Sequence, residues 1–180
     1  LYSFPTSLSA IFQPKPKPNY KPPLVFLHGS FHSSWCWSEH FLPFFSTQGH
    51  DCYAISFRGT SRSPSPSKES SITITTHAAD LRAFLETTFP PSSPSPIVIG
   101  HSFGGAILMK LLEQQQPSSP PVLSGAAFLC SVPPSGNGPM TGRFLKRDLV
   151  LALKIVLGFV AKKAAQWDWL CRELFFTPIL

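Results

Sequence analysis

Ile97-Val98-Ile99-Gly100-His101-Ser102-Phe103-Gly104-Gly105 begins with three apolar, β-branched residues and ends in a pair of glycines. It predicts a strand over Ile97–Ile99, a sharp turn over Gly100–Gly104 and a helix from Phe103 to Gln115. G-x-S-x-G is a short pattern, but between a strand and a helix it has a mechanical meaning. The turn lifts the serine hydroxyl to the C-terminal edge of a sheet. Glycines at positions 100 and 104 remove Cβ atoms that would collide in so tight a turn. Ser102 is therefore the candidate nucleophile. The helix behind it aims its unpaired amides and the positive end of its dipole at the same point, which suits a developing oxyanion. The backbone N–H of Phe103 is the first expected donor; the competing reading is a glycine-rich turn that merely packs.

Upstream, Leu24-Val25-Phe26-Leu27 is an unbroken apolar run bounded by Pro22-Pro23 and His28-Gly29, as a strand buried on both faces would be. The loop His28-Gly29-Ser30-Phe31 follows it. Gly29 lets the backbone turn, so that the Ser30 N–H is the second expected oxyanion donor. An ordinary loop with His28 bonded to nearby backbone is the alternative. Trp35–Thr47 carries aromatics at helical spacing, and Cys52–Phe57 reads as a strand entering the turn Arg58-Gly59-Thr60-Ser61. Thr75 or Thr76 is placed to cap a helix running to Thr88, and Ala126–Cys130 is a further strand. Strands alternating with helices, and no hairpin signal, predict an α/β fold: a parallel sheet with flanking helices on both faces. From Arg143 to about Ala165 the pattern becomes one long helical stretch with few breakers, and Leu149–Leu153 and Ile155–Leu157 within it are apolar on every side apart from Lys154.

Composition narrows the function classes. Hydrophobic residues at 43% against 13% charged describe a globular chain, and the 20 prolines cluster between apolar runs instead of forming a disordered tail. Fifteen Lys and Arg against nine Asp and Glu give +6, but they are scattered and form no aromatic-interleaved stripe, so nucleic acid is not expected as a partner. Cys36, Cys52, Cys130 and Cys171 lie in apolar stretches without metal-type pairing, as reduced buried thiols of an intracellular protein would. No metal or other cofactor is expected. The acid-free start, Leu1–Lys21, reads either as the tail of a plastid or mitochondrial transit peptide or as a frayed, truncated segment. The longest apolar run, Leu149–Ala161, is interrupted by Lys154 and falls short of the roughly 20 residues a spanning helix needs. The expected organisation is an extension over 1–22, a core over 23–142 and a helical segment over 143–180.

Val25-Phe26-Leu27-His28-Gly29, Arg58-Gly59 and Gly100-His101-Ser102-Phe103-Gly104-Gly105, in that order, resemble the α/β-hydrolase superfamily. His28-Gly29-Ser30-Phe31-His32-Ser33-Ser34-Trp35-Cys36-Trp37 is similar to its plant esterase and hydroxynitrile-lyase branch, and Cys130-Ser131-Val132-Pro133-Pro134-Ser135-Gly136 to a plant group of hydrolases. The resemblance runs from about Pro23 to the C-terminus. It implies a partial α/β-hydrolase fold with the start of a helical cap over 143–180, Ser102 as nucleophile, and Ser30 and Phe103 as oxyanion donors. It also implies a pocket lined by His28, Gly29, Phe31 and His101, while the apolar helical segment and the 16 phenylalanines point to a small, apolar ester as substrate. One departure is the turn Arg58-Gly59-Thr60-Ser61, where the superfamily's RGxGxS pattern has a second glycine at position 61.

A serine nucleophile needs a base and an orienting carboxylate, which in this superfamily follow it as Asp or Glu and then His. All six histidines precede Ser102, and only Glu113, Asp148, Asp168 and Glu173 follow it. Asp148 and Asp168 fall in the helical region and read as surface charges. The acid and base are thus expected outside these residues. Two functions stay open: an esterase-type hydrolase, and a small-molecule-binding protein on the same scaffold.

Overall fold

The computed structural model describes residues 2–3, 8–14, 21–63, 72–116, 118–133, 136, 138–160, 163 and 166–175. They fall into two compact units, 1–132 and 133–180. The first contains β1 (Tyr2–Ser3), β2 (Ser9–Gln13), β3 (Leu24–Leu27), a 3-10 turn (Ser34–Trp37), α1 (Phe41–Thr47) and β4 (Cys52–Ser56). It continues through α2 (Ile74–Thr88), β5 (Ile97–His101), α3 (Phe103–Glu113) and β6 (Gly125–Leu129). The strands form one sheet in the order β1-β2-β4-β3-β5-β6.

β3 is central because every one of its side chains is apolar and buried. It runs parallel to β4 on one side, with Leu27 opposite Ile55, and to β5 on the other, with Leu27 opposite Gly100. β6 extends the parallel set beyond β5. Side chains alternate across a strand, so β3 feeds two cores. Val25 and Leu27 join Leu81, Phe84 and Leu85 of α2 and Ile107, Leu108 and Leu111 of α3. Leu24 and Phe26 join Trp37, Leu42 of α1 and Ile99. The mostly parallel sheet with helices on both faces agrees with the fold class read from the sequence.

The N-terminal segment differs from expectation. Residues 1–22 read as an extension, yet Ser9–Gln13 pairs antiparallel with β4, Ala10 opposite Ile55, making the sheet mixed. Leu8 and Ala10 are buried against the α2–α3 core, and the Ser9 N–H donates to the Ser63 hydroxyl at 3.0 Å. The strand is five residues long, polar at both ends and followed by prolines, so its alternation is too brief to read in the sequence. Trp35–Thr47 is likewise not one helix but the 3-10 turn and then α1. α2 starts earlier than expected, capped by Thr73 in a reciprocal capping box with Thr76. Of the four thiols only Cys52 is fully buried, and Cys130 is exposed.

The second unit contains α4 (Gly138–Arg147), α5 (Leu149–Ile155), a π-helical turn (Val156–Val160) and α6 (Asp168–Phe175). The single long helix expected here is broken at Asp148. Its extended backbone ends α4, and its carboxylate accepts from the Leu151 N–H at 2.9 Å to start α5. A Lys154–Glu173 ion pair ties α5 to α6. Among the described residues no helix is long and apolar enough to cross a membrane.

Candidate active site

Ser102 stands between the last residue of β5 and the first of α3 at φ 53°, ψ −116°. A side chain there costs on the order of 1–3 kcal/mol and persists only where the surroundings over-determine it. They do. The Ser102 N–H donates to the Leu129 carbonyl at 3.0 Å, and its own carbonyl accepts from Gly105 at 3.1 Å and Val132 at 3.3 Å. The Ser131 hydroxyl donates to the Gly100 carbonyl at 3.0 Å. The end of β6 therefore grips the turn from outside, a role that the Cys130–Gly136 resemblance does not foretell.

The glycines are needed on the inner side. A Cβ at Gly104 would lie 2.7 Å from the carbonyl oxygens of Leu27 and His28, and one at Gly100 would lie 2.6 Å from Gly105 Cα. A Cβ at Gly105 would overlap the Ser131 side chain. α3 can thus press its N-terminus against the end of β3, leaving the amides of its first turn at Ser102. Among the described residues the Ser102 hydroxyl makes no hydrogen bond.

The loop after β3 meets the same place. A Cβ at Gly29 would stand 3.1 Å from both Ser102 Cβ and His101 Nδ1, so a side chain at 29 would crowd the serine. No described acceptor takes the Ser30 N–H. Phe31 has φ 63° and is 41% exposed, and the His101 ring meets the Trp37 ring edge-on with centroids 6.2 Å apart. Burial holds the His101 imidazole below its ordinary pKa, and the neighbouring His32 adds to the effect. The Phe103 ring packs inward against Phe57 and His77.

His28 departs from the pocket-lining role read from the sequence. It is 1% exposed, and both ring nitrogens are taken. The Phe57 N–H donates to Nε2 at 3.1 Å, so Nε2 is unprotonated, and Nδ1–H donates to the Gly29 carbonyl at 2.7 Å. Burial pushes its pKa down to about 4, with smaller contributions from neighbouring imidazoles against the Gly29 bond. No polar atom remains for a substrate; the imidazole is an internal brace. The reading in which His28 bonds to nearby backbone is the one the geometry favours.

The turn after β4 carries two further features. Arg58 grips Asp80 of α2 with two hydrogen bonds, Nε to Oδ2 at 2.9 Å and a second from Nη2 to Oδ1. That bidentate pair raises the Arg58 pKa above its usual value. Ser61, where the second glycine is missing, has φ 50°. The turn forms in the glycine's conformation without the glycine. Among the described residues no three His, Cys, Asp or Glu side chains gather as a metal site.

Strand order, strained serine turn and glycine contacts together describe a known arrangement, and a family model described as Alpha/beta hydrolase family matches residues 24–178. The chain belongs to that family. Methylesterase 10 of Arabidopsis thaliana is 27% identical over 115 residues, 64% of this chain and 39% of that protein. Among solved structures, a bromoperoxidase from Bacillus anthracis aligns with TM-score 0.60 and 19% identity, over 73% of this chain and 45% of its own. An esterase from Exiguobacterium antarcticum aligns with TM-score 0.58 and 18% identity, over 82% of this chain and 55% of its own. At such identities the structures establish the α/β-hydrolase fold alone. The chain spans well under half of its methylesterase relative, 39%.

Proposed function

We propose that this α/β hydrolase cleaves an ester or related acyl bond through a covalent intermediate on Ser102. The observation that carries the reading is the Ser102 backbone, held at φ 53° between β5 and α3 with a hydroxyl that caps no amide of the helix. Strain of that kind is kept where it serves chemistry. Ser102 Oγ attacks the acyl carbonyl while a histidine takes its proton, and the N–H groups of Ser30 and Phe103 hold the oxyanion. The carbonyl re-forms, the alcohol leaves with the proton from the histidine, and water repeats the sequence to release the acid. We assign the acid and histidine to sequence outside these 180 residues. Gly29, Phe31 and His101 face the substrate in this reading, and residues 143–180 begin a helical cap. The methylesterase relative supports the ester class.

An alkyl fluorophosphonate is expected to label the full-length protein at Ser102, and Ser102→Ala to abolish labelling. The 180-residue chain alone is expected to turn over no p-nitrophenyl ester at an appreciable rate. A folded full-length protein that resists the probe supports the second reading, a small-molecule binder. That reading is favoured by one observation: no described histidine reaches the Ser102 hydroxyl.

A further inference from the structure

Ser30 is held on both sides by imidazoles. The peptide before it is fixed through the Gly29 carbonyl, which accepts from His28 at 2.7 Å. The peptide after it is fixed through the Ser30 carbonyl, bonded to His32 Nδ1 at 2.8 Å. A carbonyl can only accept, so His32 carries a proton on Nδ1. Between the two clamps lies Phe31 at φ 63°, the left-handed region that a non-glycine residue enters only at a cost. The His32 bond spans this strained residue and closes the turn around it. The His32 ring is itself stacked on Trp35, with centroids 5.6 Å apart and planes 30° from parallel. In a trans peptide the N–H points opposite the carbonyl. With the Gly29 carbonyl turned to the buried His28, the Ser30 N–H is directed away from it, and no described acceptor uses it.

We propose that His32 is a positioning residue: its Nδ1–H, clamping the Ser30 carbonyl across left-handed Phe31, presets the Ser30 N–H as an oxyanion donor. His32 itself touches no reacting atom. The clamp needs only the Nδ1 proton, so it persists whether the imidazole is neutral or charged. The proposal rests on the reading of Ser102 as nucleophile.

The test is phosphonylation of the full-length protein by an alkyl fluorophosphonate, followed by intact mass to give kinact and KI. Loss of an oxyanion donor costs about 100–1000-fold, and loosening one costs part of that. His32→Ala is expected to lower kinact by about tenfold or more with KI little changed. His32→Asn, whose amide nitrogen sits where Nδ1 does, is expected to recover to within about threefold of wild type. His32→Gln, whose amide lies one methylene further out, is expected to behave like alanine. Wild-type kinact in His32→Ala, or an asparagine variant no better than glutamine, would overturn the proposal alone. A folded wild-type protein that is not labelled removes the Ser102 reading and this proposal with it. If His32→Ala does not fold by circular dichroism, the asparagine and glutamine pair decides.

Discussion

The buried His28 imidazole accepts from Phe57 and donates to Gly29, so adding a second ring proton breaks the Phe57 bond. Its folded pKa, about 4, lies below the ordinary 6.5. The stability it contributes is therefore complete above pH 6.5 and is lost as pH falls toward 4. At about 1.4 kcal/mol per pKa unit the loss is of the order of 3 kcal/mol. Burial shifts His77 and His101 in the same direction, so they add to the slope. An NMR titration checks this: His28 should stay neutral to about pH 4, and a ring titrating near 6.5 would contradict it. Ser61 offers a second test. Its left-handed backbone is strained for serine but open to glycine, partly offset by glycine's freer unfolded chain. Relief of about 1–2 kcal/mol of strain, less the unfolded-chain offset, means that Ser61→Gly should stabilise by about 0.5–1 kcal/mol in urea unfolding. Ser61 departs visibly from the RGxGxS pattern, but only the backbone angle shows that the turn keeps its shape regardless.

Among the elements, the contact between β3 and α3 is the one whose failure would undo the site. A Cβ at Gly104 meets two backbone oxygens at 2.7 Å, and neither can swing aside as a flexible side chain would. Gly104→Ala should cost about 1–3 kcal/mol of stability, shown by denaturant melts, as α3 is pushed off the end of β3. Because the same displacement moves the Phe103 amide, fluorophosphonate labelling of Ser102 should fall further than the stability loss alone explains. Elements with long apolar signals were legible: β3, β5 and α3 lie where the sequence puts them, and so does the turn between the last two. Elements set by long-range pairing were not. β2 exists because β4 offers it an edge and Ser63 a hydrogen bond, and neither is local in sequence. The turn positions of Ser102, Gly29 and Gly104 were legible because tight turns demand particular residues. The grip of Leu129–Val132 on the serine is made largely by backbone atoms, so the Cys130–Gly136 stretch is recognisable in sequence while its role is not.

At the scale of the whole molecule, β6 closes one side of the sheet order, and no described strand pairs with its outer edge. Phe128, on that strand, is 44% exposed. Open, apolar strand edges recruit other strands. The 180-residue chain should therefore associate with rising concentration, and Phe128→Lys should delay that onset in light scattering; unchanged scattering would count against the edge as the cause. The position of β3 carries a different consequence, for synthesis. Its two neighbours arrive at different times. β4 follows within a few tens of residues, whereas β5, whose Gly100 pairs with Leu27, emerges roughly 70 residues later. Once β4 is complete about 40 residues remain before β5, so at about 5–20 residues per second the strand that becomes the centre of the sheet waits some 2–8 s with one flank open. A nascent chain stalled before Ile97 would hold its most apolar strand half-dressed, which makes that interval the natural window for chaperone capture.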